Sequence, residues 1–443
     1  MHSQATHTRP MSIVVASLLA VALLVATAGT AAAKTFTVNK RGDHVPGKCD
    51  ASDCTLREAV IRATAKPSND KVKLPSAGPY RLKREPAAGP DGESGDLDVG
   101  VAMGPGNMTK IVHPGTGRAT VDATATGDRV IEVVGNIDLR RVKLTGGIAE
   151  QGEQSGGGIN LRGFATLHDS VVSANEAPDV GGGIFVHTGV LLLYQSRIRR
   201  NEAGAGGGLF VGEDAYADVV ESTLGRNRAD AGGALWIETG PFQDSTRIIR
   251  STLSGNTATD DGGAIYTRST KGLIENSTLA ENSADGRGGA IYSAPDSETG
   301  VNGATIASNV ADADGTGGGD TGGGIFADGG TDVVEIANSL LAENWLDEGE
   351  LNDCDAPAPV GIDSLGGNMV MTEAGGCTFF DHAQDIVAPD ADIKSLAANG
   401  GPTKTVALRA SSPAIDEADG PAPLATDQRG VARDDADIGA YER

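Results

Sequence analysis

Between about residue 131 and residue 344, apolar and polar positions recur in blocks of about 26 residues. One motif is Ser-x-apolar-x-x-Asn. It occurs at Ser170–Asn175, Ser196–Asn201, Ser222–Asn227, Ser251–Asn256, Ser277–Asn282 and Ser339–Asn344, with Ala304–Asn309 as a variant. Successive copies lie 26, 26, 29, 26, 27 and 35 residues apart. A second motif, Gly-Gly-Gly/Ala-apolar, runs out of phase with it at Gly156, Gly181, Gly206, Gly232, Gly262, Gly288 and Gly322. Aliphatic residues fill three columns: Leu167 to Ile336, Val172 to Leu341, and Ile159 to Ile325. Short aliphatic runs ended by Gly or Asn predict strands, not helices. Stacked at ~4.8 Å, they predict an all-β, right-handed parallel β-helix with a continuous aliphatic interior. Asn side chains are expected to serve tight turns and to bond the next copy's amide in a ladder. Weaker coils are expected at Ile131–Leu144 and near Ile111 and Val121.

A solenoid needs closed ends. The first cap is predicted at 34–100, with a strand at Thr35–Val38 and a helix opened by the Thr55/Glu58 capping box. Coils are assigned to 101–344, and final irregular coils with a closing segment to 345–443. Residues 1–33 read as a Sec-type signal peptide: an apolar run from Ile13 to Ala26 precedes the small residues Ala31–Ala33. That run is shorter than the ~20 residues a membrane span needs. Four cysteines fall into two local pairs, Cys49 with Cys54 and Cys354 with Cys377. In an exported chain they predict disulfides, with a zinc site the competing assignment.

Gly numbers 63 of 443 residues and the formal charge is −24. The glycines follow no three-residue period, which excludes collagen, and the acidic balance argues against a nucleic-acid partner.

The segment Cys49–Ala59 resembles the N-terminal CSLREA-type domain of exported bacterial proteins, through Cys54-Thr55-Leu56-Arg57-Glu58-Ala59. The coils resemble the polymorphic outer-membrane protein repeat, through Gly262–Ile265 and Leu253–Asn256. The tail resembles the choice-of-anchor Q domain at Ser364–Val370, Leu396–Asp416 and Asp427–Glu442. These resemblances imply a secreted or surface-displayed β-helix and no single chemistry. With no sorting signal or barrel after the tail, release to the medium or periplasm is expected over anchoring.

The residue after each apolar anchor is Asn160, Phe185, Phe210, Trp236, Tyr266, Tyr292 and Phe326, so one column holds six of the aromatics (8 Phe, 6 Tyr and 2 Trp in all). Strand alternation aims them outward. Phe185, Phe210, Trp236, Tyr266, Tyr292 and Phe326 are therefore candidate carbohydrate-binding residues, offering ring faces to sugars. Arg162, His187, Glu238, Arg268 and Asp328 stand beside them. The competing expectation is a stripe covered by loops or tail, or cross-strand stacking that supports the sheet. No catalytic constellation emerges. Arg162, His187 and Arg268 share no designed spacing for a lyase, nor Glu238 and Asp261 for a hydrolase. No metal ligand or cofactor is assigned. Calcium at Asp312–Asp320 is the one candidate, against a solvated loop. Arg197, Arg199 and Arg200 read as solvated charge. The expectation is a secreted or surface-associated protein binding extracellular polysaccharide or acting as an adhesin. The alternative is a polysaccharide lyase or glycoside hydrolase on the same scaffold.

Overall fold

The computed structural model describes residues 32–86, 93–100, 107–150, 152–238, 246–268, 272–316, 321–329, 334–347, 349–357, 361–371, 377 and 380–443. Residues 1–31 of the signal-peptide segment and the end of the Asp312–Asp320 insertion lie outside them. The described chain winds as a parallel β-helix, with strands in three sheets of 19, 12 and 7. The parallel pairing already starts at Thr35–Thr37, which lies against Lys71–Lys73, which in turn lies against Lys110–Val112.

Each coil repeats one cross-section. Ile184, Phe185 and Val186 pair with Leu209, Phe210 and Val211, and these with Leu235, Trp236 and Ile237. Ile198 pairs with Leu224 in the second sheet, and Ala229 with Ala258 in the third. The three aliphatic columns fill one continuous core, as their periodicity predicts.

Two buried ladders set the height of the coils. In the Asn ladder, Asn201 Nδ2 donates to Asn227 Oδ1 at 3.1 Å and Asn227 Nδ2 to Asn256 Oδ1 at 3.0 Å, and the series continues through Asn282 and Asn309 to Asn344. Asp353 accepts the last bond at 2.8 Å. In the Ser ladder, the backbone N–H of Ser196 donates to Ser222 Oγ, and that of Ser222 to Ser251 Oγ, each at 3.0 Å.

The turn chemistry differs from expectation at one point. The residue before each Asn or Ser, not the Asn itself, takes the left-handed conformation. Arg200, Arg226 and Glu281 have φ of 55°, 58° and 60°, and Gln195, Glu221 and Arg250 have φ of 50°, 49° and 49°. Each costs roughly 1–2 kcal/mol for a residue with a Cβ. The polar side chain that comes next holds the corner: each Asn binds backbone groups of the preceding coil and the amide side chain of the following one. The Gly pairs serve a third corner. Gly206 is left-handed at φ 59°, and a Cβ on Gly207 would sit 2.1 Å from the Arg228 carbonyl.

The N-terminal helix, Leu56–Thr64, opens with the predicted capping box. Cys49–Cys54 and Cys354–Cys377 are bonded as the local pairs predict. Arg57 is buried. It pairs with Asp43 at 2.9 Å and donates to the carbonyls of Gly95 and Asp96. Each position of Cys54–Ala59 is thus used. Cys54 is disulfide-bonded, Thr55 and Glu58 form the cap, Leu56 and Ala59 enter the core, and Arg57 is the cross-link.

The tail does more than close the end. The strands Ile362–Gly366, Met369–Val370 and Ile386–Val387 continue the coils. The rest folds back over the outer face of the second sheet. Ile393, Val406, Leu408 and Ile438 pack on Ala280, Ala307, Leu340 and Met369. Buried Gln428 accepts from Thr278 Oγ1 at 2.6 Å and donates to the Ser251 carbonyl at 3.1 Å. This strap stops at Thr252, whose hydroxyl donates to the Lys404 carbonyl.

Asn227→Ala deletes a rung and leaves Asn201 Nδ2 and the Ile198 carbonyl without their partner, at about 1–3 kcal/mol for each buried group. Urea unfolding should show a loss of at least ~2 kcal/mol, whereas exposed Thr259→Ala should stay within about 0.5 kcal/mol.

Candidate functional site

Strand alternation puts Phe185, Phe210, Trp236, Tyr266, Tyr292 and Phe326 on the outer face of the first sheet, at one register position. All six candidate residues are therefore brought together. Their planes are nearly parallel over most of the column. Centroid separations are 5.8 Å for Phe210–Trp236, 3.9 Å for Trp236–Tyr266, 4.8 Å for Tyr266–Tyr292 and 5.8 Å for Tyr292–Phe326. Phe185 meets Phe210 edge-on at 5.6 Å.

This geometry corrects how the rings were expected to act. Parallel strands one coil apart bring equivalent rings to stacking distance, so their faces lie on one another. Trp236, Tyr266 and Tyr292 carry a ring on each face and have no face left for a sugar. Phe185, Tyr292 and Phe326 are buried, while Phe210, Trp236 and Tyr266 are half-buried. The stacking that supports the sheet is the arrangement found, and solvent meets ring edges.

The polar neighbours form a fringe along the column. Trp236 Nε1 donates to Glu238 at 2.7 Å, and Arg268 pairs with Glu238 at 3.4 Å. Arg287 pairs with Asp261 at 2.9 Å and lies over the rings of Tyr292 and Phe326, 4.8 and 4.9 Å from their centroids. The Tyr292 hydroxyl donates to Asp328. Burial and that bond push the Tyr292 hydroxyl up from its ordinary pKa. Glu238 and Asp261 are each held by a different arginine.

Below Phe185 the same column continues as Asn160, Glu132 and Asp98. An acid–arginine cluster gathers there that the periodicity did not predict. Arg162 bridges Glu132, at 2.7 Å, and Glu153. His187 lies 3.4 Å from Glu153, and Arg129 lies 3.8 Å from Glu132 and 3.9 Å from Asp96. Asp96 is buried. Desolvation first, then the charges of Asp128 and Asp98, push its carboxyl up to about 8 against the opposing pull of Arg129. It therefore holds a proton at neutral pH, beside Asp98, Asp128 and Arg129. The signal for Glu132 was its place between Ile131 and Val133. Asp96 and Asp98 lay in a stretch read as cap.

Ligand atoms of Asp96, Asp98 and Glu132, and separately of His44, Asp53 and Glu58, lie within 4.8 Å of one another. In the first group Arg129 and Arg162 already supply positive charge. In the second Glu58 is engaged in the capping box. Among the described residues no helix is long and apolar enough to cross a membrane.

The Chlamydia polymorphic membrane protein repeat matches residues 250–268 and 276–294. These two stretches include the Ser251 and Ser277 motifs and the two Gly-Gly-Ala-Ile tetrapeptides. No curated protein matches the chain. Among solved structures, the crystal structure of pectate lyase Pel9A is similar over 94% of this chain and 98% of that one, with a TM-score of 0.52 and 13% identity. At that identity the likeness establishes the parallel β-helix fold.

The Asp96 carboxyl is protonated in the folded chain up to about pH 8 and releases its proton near 3.8 when unfolded. Its contribution is thus complete below pH ~4 and is lost as pH rises through ~8. Between roughly pH 5 and 9, Tm of the native chain should fall more steeply than that of Asp96→Asn. Parallel curves in thermal unfolding would place an ionised carboxylate at this position.

Proposed function

We propose that the chain is an extracellular β-helix protein that binds polysaccharide along the outer face of its first sheet, through ring edges and the polar fringe. The observation that carries this is the line of half-exposed edges at Phe210, Trp236 and Tyr266, beside His187, Glu238 and Arg268. Ring edges bear positive potential and suit an oxygen-rich ligand. The fringe supplies donors and acceptors of both signs. A rigid row repeating at ~4.8 Å fits a linear polymer better than a small molecule. The two disulfides and the surface-protein repeat support a place outside the cytoplasm, in keeping with the export segment read at 1–33. An adhesin that contacts protein through the same face is the nearest relative of this reading.

Affinity electrophoresis at high salt, where long-range charge attraction is screened, through gels containing neutral or uronate polysaccharides tests it. Trp236→Ala/Tyr266→Ala should weaken retardation by at least about tenfold, about 1.4 kcal/mol. Arg268→Gln, which leaves the stack intact, should weaken it measurably. Retardation unchanged on every polymer would reject the proposal.

A second reading, a lyase on the same scaffold, is favoured by one observation: the protonated Asp96 among Glu132, Glu153 and Arg162 at the foot of the ring column. Similarity to a pectate lyase points the same way. On the binding proposal, incubation with polygalacturonate leaves the ultraviolet absorbance of unsaturated sugar ends flat. A rise that Asp96→Asn abolishes would assign the chain to the lyases.

A further inference from the structure

On a chain of charge −24, one flank is locally positive. It is the part of the second sheet that the strap leaves open. The strand Arg197–Arg199 points both of its outward side chains, Arg197 and Arg199, to solvent. Lys143 stands two coils below Arg197 in the same register column. Arg200 and Arg226 occupy equivalent corners of adjacent coils. Arg118 lies close to Arg197, and burial first, then the Arg118 and Arg199 charges, pull the Arg197 guanidinium below its ordinary pKa against the opposing pull of Asp169.

Most arginines on the first-sheet face are paired with a carboxylate. On this flank Arg118 is paired with Asp169 and Arg250 with Glu221. Among the described residues, Lys143, Arg197, Arg199, Arg200 and Arg226 have no carboxylate within ion-pairing distance. Arg200 and Arg226 hold left-handed corners, where Gly or Asn would be less strained. The flank ends at a wall: Thr403 donates to the Arg250 carbonyl, and exposed Lys404 stands on the strap's edge.

We propose that this open flank of the second sheet docks a polyuronate chain, with Arg197, Arg199, Arg200 and Arg226 gripping successive carboxylates. The site is separate from the ring column and does not depend on it. The occupant follows from charge and form. Cations one and two coils apart repeat at ~4.8 and ~9.6 Å, which suits a linear polymer charged at every unit. The four exposed groups are arginines, whose planar fork binds a carboxylate through two parallel bonds. No large exposed apolar residue lies on the flank to anchor it in a bilayer; those of the described chain are Val45, Val134, Val387 and Val431. Among the described residues, His168 and Tyr194, at the end of the first-sheet strands that lead into this flank, are half-buried and stacked on each other at 5.1 Å, so they offer a base little of the free stacking platform that single-stranded nucleic acid would use.

Affinity electrophoresis of the full chain in polygalacturonate gels, at low and high salt, tests the proposal. Arg197→Gln/Arg199→Gln/Arg200→Gln should weaken binding at low salt by at least about tenfold and flatten its salt dependence. Lys40→Gln/Arg41→Gln/Lys48→Gln removes the same charge elsewhere and should bind like the native chain. Trp236→Ala/Tyr266→Ala should retain the salt-sensitive component, which separates this site from the ring column. The inference is overturned if the native chain is not retarded, if both charge triples lose binding equally, or if the arginine triple binds normally. Tighter retention by dextran sulfate, DNA or anionic vesicles would overturn the choice of partner.

Discussion

Three side-chain columns depend on one constraint: every coil must turn its corners at the same height as its neighbours. The Ser and Asn ladders impose it. Each Asn rung joins a buried side chain to backbone groups of the coil before it and to the equivalent side chain of the coil after it, in an environment where leaving either partner unpaired is costly. That bonding supports the left-handed corner residues before each Ser and Asn, most of which are not glycine. Because each corner is locked by the Ser or Asn next in the chain, the corner side chains themselves are free to vary. Ala174, Arg200, Arg226 and Glu281 share one such position.

Locked corners make the outer faces periodic, and periodicity decides what those faces present. A ring placed at one position of six successive coils meets its copies at stacking distance. The same spacing that makes the column visible in the sequence therefore removes most ring faces from solvent. A charge placed likewise meets a like charge, as Asp98 meets Glu132 and Glu335 meets Asp363, and most arginines of the first-sheet face sit beside an acid. The second-sheet flank breaks that rule, and its cations are left facing water.

The repeated part of the molecule was legible because its physics is repetitive. Ile184, Leu209 and Leu235 declare an interior column by spacing alone, and Asn201, Asn227 and Asn256 declare a ladder. Thr55 and Glu58 declare a helix cap because that motif is local. Contacts made only once escaped. Arg57 reaches Asp43 and the carbonyls of residues 95 and 96, partners that no period relates. Asp96 gathers neighbours from other coils, and its proton follows from burial that spacing does not reveal. Gln428 bridges segments some 150 to 177 residues apart, so the strap's path had no signature in a windowed pattern.

The strap and the rings divide the surface between them. By covering the second sheet from Thr252 onward, the tail hides the coils whose outward positions are Thr252, Thr278, Thr305 and Leu340, all uncharged. Beyond its end the same register column runs through Thr223, Arg197, Val171 and Lys143. Residues under the strap pack or hydrogen-bond to it, as Thr278 does to Gln428. A guanidinium there would be taken out of water without a partner, at a cost well above that of a lost hydroxyl bond. The covered coils therefore carry neutral outward residues, and the cations Arg197 and Lys143 stand beyond the strap's end, because burial forbids charge on one side and permits it on the other. On the permitted side, a row of like charges is held at fixed spacing by corners that cannot relax.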